Sequence, residues 1–311
     1  MQATQGLPAS ITVFERGWLS SNNILVLGRE RTALVDSGYG THAPQTVALV
    51  QRALDGRPLD LLVNTHLHSD HCGGNAALQR AYPAMQTLIP PGQADEVARW
   101  DATALTYEPT GQVCERFRFD AVVRPGTQLR LGDLDWQVHA AAGHDPHSVI
   151  LFEPFSRVLI SADALWENGF GIVFPELEGV AAFDDVAATL DLIEALRPLW
   201  VIPGHGAVFG GADAEVAQAL GRARSRLAGF VQDPARHARH AAKVLLKFKL
   251  LEIQEVTTGQ MLAWVRETRY FELVRSQYFA NVEPSAWLDS LVADLVRTGA
   301  ATMAQGTIRN L

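Results

Sequence analysis

Asn64-Thr65-His66-Leu67-His68-Ser69-Asp70-His71-Cys72-Gly73-Gly74 crowds three histidines and one aspartate into the six residues from His66 to His71. The residues before it, Leu59–Asn64, read as a short buried strand, and the Gly73-Gly74 pair allows a tight turn into a helix. The cluster therefore sits where a strand ends and a loop begins, the place where α/β folds put their sites. A lone histidine is ordinarily a core or surface side chain. Imidazoles and a carboxylate gathered on one loop make poor core and good metal ligands. His66 and His68 alternate, so on extended backbone both side chains leave the same face. Asp70 and His71 follow a turn and face a second point, and this spacing suggests two metals rather than one.

Working outward, the flanking chain alternates β and α. Ile11–Phe14, Asn23–Leu27 and Thr32–Val35 read as strands, and Asp36 at the end of the third is a turn residue or a hydrogen-bonding partner for a metal-binding histidine. Pro44–Leu54 is an amphipathic helix, Asn75–Tyr82 another, and Gln86–Ile89 a strand. Residues 92–120 are irregular, with a helix at Ala94–Trp100, a break at Tyr107–Gly111 and an aromatic-basic run from Arg116 to Phe119. This segment is either a lid or a surface connection. Short strands resume up to Trp136–Ala140 and lead into Gly143-His144-Asp145-Pro146-His147-Ser148. His144 suits a third ligand, His147 a structural or supporting role, and His139 the core. Val158–Ile160 runs into Asp163, a carboxylate whose two oxygens can each take one metal. The Gly- and aromatic-rich stretch 165–177 reads as pocket wall, with Trp166, Phe170 and Phe174 as apolar contacts. After the helix Phe183–Leu196, the strand Trp200–Ile202 ends in Pro203-Gly204-His205-Gly206, where a histidine framed by glycines completes the set.

The ordered motifs His66-x-His68-x-Asp70-His71, His144, Asp163 and His205 resemble the metallo-β-lactamase superfamily, in its glyoxalase-II-like hydrolase branch, over roughly residues 10–210. The resemblance implies an α/β fold, a four-layer αββα sandwich with the site at the edge between two sheets. It implies one metal on His66, His68 and His144, a second on Asp70, His71 and His205, and Asp163 bridging them. The cofactors expected are two divalent ions, zinc first, with iron or manganese accepted by the same ligand types. A water between two such ions ionises near neutral pH, and the hydroxide attacks an electrophilic carbonyl or phosphorus. Asp70 is the expected catalytic residue, orienting that water and relaying its proton. Ser148 and Ser161 lie near ligands without a paired base, so no serine triad is expected.

Composition sets the remaining bounds. The chain has 311 residues, 48% apolar and 19% charged, with net charge −8. Arg222–Leu311 carries 13 basic and 8 acidic residues, leaving −13 on the part before it. Its three lysines, Lys243, Lys247 and Lys249, all fall in one stretch of that tail, and the Arg and Ala bias reads as genomic base composition. The two cysteines, Cys72 and Cys114, build no disulfide framework and fit a reducing, cytoplasmic setting. Cys72 is either a small buried turn residue or a soft ligand. The start, MQATQGLPAS, lacks the pattern of a secretory leader, and no apolar run reaches the length of a membrane span.

The expected division is a catalytic domain over 1–221 and a mostly helical module over 222–311. Helices at Ala212–Val231, His237–Ile253, Met261–Thr268 and Pro284–Thr298, then a hairpin turning at Gln305-Gly306, give an element order like a winged helix. That combination is similar to the β-lactamase-like subgroup that includes an endoribonuclease, on element order alone. The expected activity is hydrolysis of a small ester, thioester or lactone. The alternatives are an endoribonuclease and a mononuclear iron oxygenase of the same fold. A small-molecule substrate is favoured over nucleic acid, because the tail lacks a dense basic run or base-stacking aromatics. A homodimer is left open.

Overall fold

The computed structural model describes residues 6–311; Met1–Gln5, the start of the stretch read above for a leader, lie outside them. Twelve strands form two six-stranded sheets. The first orders β1 (Ile11–Phe14), β2 (Asn23–Leu27), β3 (Thr32–Val35), β4 (Leu61–Val63), β5 (Gln86–Ile89) and β6 (Ala121–Val122) side by side. The second contains β7 (Gln128–Leu131), β8 (Leu134–Ala140), β9 (Val149–Glu153), β10 (Val158–Ala162), β11 (Trp200–Pro203) and β12 (Phe209–Gly210), again in sequence order.

Period-two alternation explains why the sheets stack and helices cover both outer faces. In β2–β4, Ile24, Val26, Val35 and Val63 point into the cluster between the sheets, where they meet Val149, Leu151, Val158, Ile160 and Ile202. The intervening Leu25, Leu34 and Leu62 point outward and pack under Val50 and Leu54 of helix Ala43–Leu54. In the second sheet Ile150, Phe152, Leu159 and Val201 face helices Phe183–Leu196 and Asp213–Gln232. The layers are α, β, β and α, as expected.

Strands β3, β4, β5 and β6 are mutually parallel, as are β10 and β11. Carboxyl ends of β3, β4, β8, β10 and β11 therefore carry Asp36, the His66–His71 loop, His144, Asp163 and His205 to one edge of the sandwich. Backbone bonds tie the sheets together there. Ser21 N donates to Asp70 O at 2.9 Å, Asn22 N to Gly204 O at 2.7 Å, and Val149 N to Thr65 O at 2.9 Å.

The expected division after residue 221 falls inside one continuous helix, Asp213–Gln232. Val216, Ala219 and Leu220 before that point and Ala223, Leu227 and Phe230 after it pack on the same sheet. The next helix begins at Pro234, not His237, because proline suits the first helical position and the Asp233 side chain caps Arg236 N. Its residues Ala238, Ala241, Leu245 and Leu246 pack with the tail instead.

The tail continues as β13 (Glu255–Thr257), helices Thr258–Glu267, Arg269–Tyr278 and Pro284–Arg297, and a hairpin of β14 (Ala301–Ala304) and β15 (Thr307–Asn310). Strand β13 joins the hairpin in a three-stranded sheet. Helix Thr258–Glu267 starts earlier than its apolar pattern, owing to a Thr257–Gln260 capping box. Strand β13 and helix Arg269–Tyr278 are additions to the sequence reading. The helix follows its neighbour with Thr268 shared between them, leaving no turn signal to read.

Candidate metal centre

The strand-end loops bring seven ligand-type side chains to one point. His66, His68 and His144 form one group suited to a divalent ion, and Asp70, His71, Asp163 and His205 form a second. Asp163 lies between them: His71 Nε2 is 3.4 Å from its Oδ1, and His144 Nε2 is 3.3 Å from its Oδ2. His205 Nε2 lies 3.0 Å from Asp70 Oδ2, and His68 Nδ1 lies 2.8 Å from His144 Nε2.

Hydrogen bonds at the outer ring nitrogens aim the inner ones. His144 Nδ1 donates to the Ile172 carbonyl at 2.6 Å, which turns Nε2 toward Asp163. His71 Nδ1 donates to Asp36 Oδ2 at 2.7 Å. Asp36 is itself held at φ +57° by bonds from Thr65 N (2.9 Å) and Thr65 Oγ1 (2.8 Å). The same Thr65 Oγ1 lies 3.2 Å from His66 Nδ1. Nε2 of His66 and Nε2 of His71 are then left buried with no hydrogen-bond partner, as is His205 Nδ1. Orphaned buried nitrogens cost free energy unless something binds them, so the donor set fits metal ions better than an empty polar core.

Charge follows from this packing. Burial pushes the His66 pKa well below the usual histidine value, reinforced by His71 and His68, and pushes that of His68 down to about 4. Burial alone would lower His71 too, but Asp163, Asp36 and Asp70 raise it well above the ordinary value. Burial opposes ionisation of Asp163, yet His71, His205 and His144 hold its carboxyl well below the usual range. Close packing also demands glycine at two positions. A Cβ on Gly204 would lie 2.2 Å from Asp163 Oδ1, and one on Gly171 would lie 2.4 Å from His144 Nδ1.

Both groups open into a cleft of about 550 Å3, whose lining includes Trp18, Asp70, His144, Asp163, Trp166 and Phe174. Trp166 donates from Nε1 to Asp163 Oδ1 at 3.2 Å. Phe174 lies 4.7 Å, ring to ring, from His68. Phe170 does not belong to this wall. It is 2% exposed and packs edge-on to Phe230 in the core behind the second sheet, because loop 166–171 turns it inward.

Residues 103–112 lie over the His66–His71 loop rather than forming a surface connection. Thr106, Thr110 and Gln112 line the cleft. Tyr107 Oη donates to Leu67 O at 3.0 Å, and Ser69 Oγ to Gln112 Oε1 at 2.5 Å. Cys72 is the buried turn residue, its Sγ 3.2 Å from Tyr107 Oη and 3.9 Å from Cys114 Sγ, with both thiols free. His147 borders a second cleft on the far side of His68, and its backbone N donates to Asp145 Oδ1 at 2.7 Å.

Several neighbours carry no sequence signal. Trp18 stacks on His205 at 5.5 Å and meets Trp166 edge-on at 5.3 Å. Asp145 Oδ2 lies 3.7 Å from His68 Nε2. Helix Asp213–Gln232 supplies Arg226, and helix Pro234–Ile253 supplies His240, Lys243 and Phe248, to the cleft. For Asp145, adjacency to His144 in the chain is the one available clue.

Residues 16–205 match the family described as the metallo-beta-lactamase superfamily. The chain belongs to this superfamily, with the superfamily's hydrolase fold and a mostly helical region beyond it. Among curated proteins it is 30% identical over 221 residues to the acyl-coenzyme A thioesterase MBLAC2 of Bos taurus, covering 63% of this chain and 77% of that one. It is 26% identical over 250 residues to a hydroxyacylglutathione hydrolase of Brucella anthropi, covering 79% and 82%. A metallo-beta-lactamase family protein of Thermus thermophilus aligns over 98% of this chain and 99% of its own, at 17% identity and TM-score 0.55, a likeness of fold.

Proposed function

We propose that the chain hydrolyses thioesters of small thiols with two divalent ions, zinc first among the candidates. His66, His68 and His144 would hold one ion and Asp70, His71 and His205 the other, with Asp163 shared. The observation that carries this reading is the pair of ligand groups facing a single open cleft, with the Nε2 atoms of His66 and His71 buried and without hydrogen-bond partners. Thioester-cleaving relatives in two separate groups support the choice of bond.

Bound ions would supply a water acidic enough to ionise at neutral pH and a counter-charge for the developing oxyanion. The protein's own residues do the rest. Asp36 and the Ile172 carbonyl fix which nitrogens of His71 and His144 face inward. Asp70 is the ligand carboxylate nearest the cleft surface, where it can orient a water and pass its proton to the departing sulfur. Trp166, Ile172 and Phe174 exclude bulk water from the reacting carbonyl. A thiolate is a good leaving group, so no strong acid is required beside it.

The winged-helix-like order of the tail enters this proposal as a packing module. Helix Pro234–Ile253 is buried against the rest of the tail and lends one side to the cleft, which favours a small-molecule substrate over RNA. A cytoplasmic setting rests on the two free thiols. Among the described residues no helix is long and apolar enough to cross a membrane.

The test is metal content of the purified protein with turnover of a thioester, a lactone, a nitrophenyl ester, a β-lactam and single-stranded RNA. Two metals per chain and metal-dependent thioester cleavage, lost in Asp70→Ala, is the expected result. Cleavage of RNA alone, or one iron with no hydrolysis, would overturn it.

A further inference from the structure

The chain has two cysteines among its 311 residues, and the fold sets their sulfurs side by side although they lie 42 positions apart. Cys72 Sγ is 3.9 Å from Cys114 Sγ, and both thiols are free. The two belong to different elements. Cys72 ends the short helix Ser69–Cys72, directly after the ligand-type residues Asp70 and His71. Cys114 lies on the irregular stretch that follows Gly111 and runs without helix or strand through Phe119.

Residues 103–119 form a strap over the His66–His71 loop. Tyr107 Oη donates to Leu67 O at 3.0 Å, Ser69 Oγ to Gln112 Oε1 at 2.5 Å, and Val113 N to Tyr39 Oη at 3.0 Å. Thr106, Thr110 and Gln112 of the strap line the cleft together with Asp70 and His144. Cys72 Sγ lies beneath it, 3.2 Å from Tyr107 Oη and within 3.4 Å of the Leu67 and 3.3 Å of the His68 carbonyl oxygens. The thiol pair therefore joins the strap to the loop that carries the ligand groups.

The two sulfurs differ in exposure and in freedom to move. Cys72 is buried, whereas Cys114 is half-buried between the exposed Val113 and Glu115. An oxidant in solution therefore meets Cys114 first. The backbone at Cys72 has little room to shift. A Cβ on the next residue, Gly73, would lie 2.5 Å from both Gly40 N and Ser69 O. A disulfide holds its sulfurs about 2 Å apart. Rotation of the Cys114 side chain and a shift of the irregular backbone around it close the remaining gap. The movement falls on the strap, which carries Thr110 and Gln112 with it.

We propose that Cys72 and Cys114 are a site of reversible oxidation by hydrogen peroxide, whose disulfide pins the strap on the His66–His71 loop and slows passage through the cleft. The Cys114 sulfur attacks the peroxide: an S–O bond forms, the O–O bond breaks, and the displaced hydroxide leaves with the thiol proton as water. The Cys72 sulfur then attacks the sulfenic sulfur of Cys114. An S–S bond forms, the S–O bond breaks, and the second hydroxide takes the Cys72 proton as water. Two electrons pass from the pair of sulfurs to one peroxide molecule. Exchange with a small thiol restores both cysteines. In a reducing compartment a disulfide of this transient, redox-sensing kind is the one that forms.

The experiment treats metal-loaded wild type, Cys114→Ser and Cys72→Ala with hydrogen peroxide, then removes the peroxide with catalase. In the wild type, thiol titration should fall from two to none, the intact mass should drop by a pair of hydrogens, and peptide mapping should find Cys72 joined to Cys114. Amide hydrogen exchange across residues 103–119 should slow. Thioester kcat/KM should fall about fivefold or more, as expected for a restrained lid. A phosphine reductant should reverse both changes. Cys114→Ser should keep its buried thiol and its turnover, and Cys72→Ala should gain oxygen at Cys114 without a link. Intact thiols in the wild type, oxygen added to Cys114 with no link, or links only between chains would overturn the site. A link that leaves strap exchange or turnover unchanged would overturn the pinning, as would an equal fall of turnover in Cys114→Ser. Link, thiol count and exchange are read without substrate, so a chain that cleaves no thioester sinks the reading above and still decides this one.

Discussion

Acidification should loosen the tail from the site through one histidine. His237 is 1% exposed, its Nε2 accepts a hydrogen bond from Val173 N at 3.1 Å, and Phe183 and Phe230 pack around its ring. That bond joins helix Pro234–Ile253 to the loop bearing Ile172 and Phe174. Protonation would place a donor against a donor in an apolar cage, so burial pushes the pKa from the ordinary 6.5 down to about 4. The folded state then binds fewer protons than the unfolded chain between these values. The contribution is fully present above about pH 6.5 and falls as pH drops toward 4, costing about 2 kcal/mol at pH 5 and roughly 3 kcal/mol when both states are protonated. His237→Gln keeps an amide oxygen that can accept from Val173 and removes the titration. At pH 7 it should cost about 1 kcal/mol through poorer geometry. Urea unfolding at pH 7, 6 and 5, with metal chelated, measures both proteins. Titration of the ligand histidines is common to the two and cancels in the difference, while relief of the His237 charge on His240 shifts the variant in the same direction as the predicted change. The variant should lose about 2 kcal/mol less than the wild type from pH 7 to pH 5. An identical pH slope in both would refute the reasoning.

Other perturbations follow from the site and core. Asp36→Ala leaves His71 Nδ1 without its acceptor and should weaken binding of a metal ion by about 10–100-fold, read by competition with a chromogenic chelator. Gly204→Ala drives a Cβ into Asp163 Oδ1, so metal analysis should find binding reduced while circular dichroism stays that of the folded chain. Phe170→Ala should act as a core truncation, costing about 3–5 kcal/mol in urea unfolding; unchanged stability with altered substrate KM would return Phe170 to the cleft.

The sandwich and the ligand-type residues were legible in sequence because both rest on local regularities. Continuous apolar runs in Asn23–Leu27 and Val149–Phe152 specify strands buried on two faces, and a strand end carries whatever follows it to the sheet edge. Ligand types are equally local: the spacing of His66, His68, Asp70 and His71 needs no partner to be noticed. The side to which Phe170 turns and the sheet on which helix Asp213–Gln232 packs were not legible, for the converse reason. The inward turn of Phe170 depends on Phe230 being there to receive it, and helix Asp213–Gln232 belongs with the second sheet because of what its buried face touches.

Sequence by itself determined which side chains could hold metal and which strands would deliver them, since strand-end chemistry is written within a few residues. Tertiary structure alone decided that Trp18 stacks on His205, that Phe170 turns away from the cleft, and that Arg226, His240 and Lys243 line it. Those relations join residues far apart in the chain, and burial and Coulomb interactions act through space, whatever the separation along the sequence.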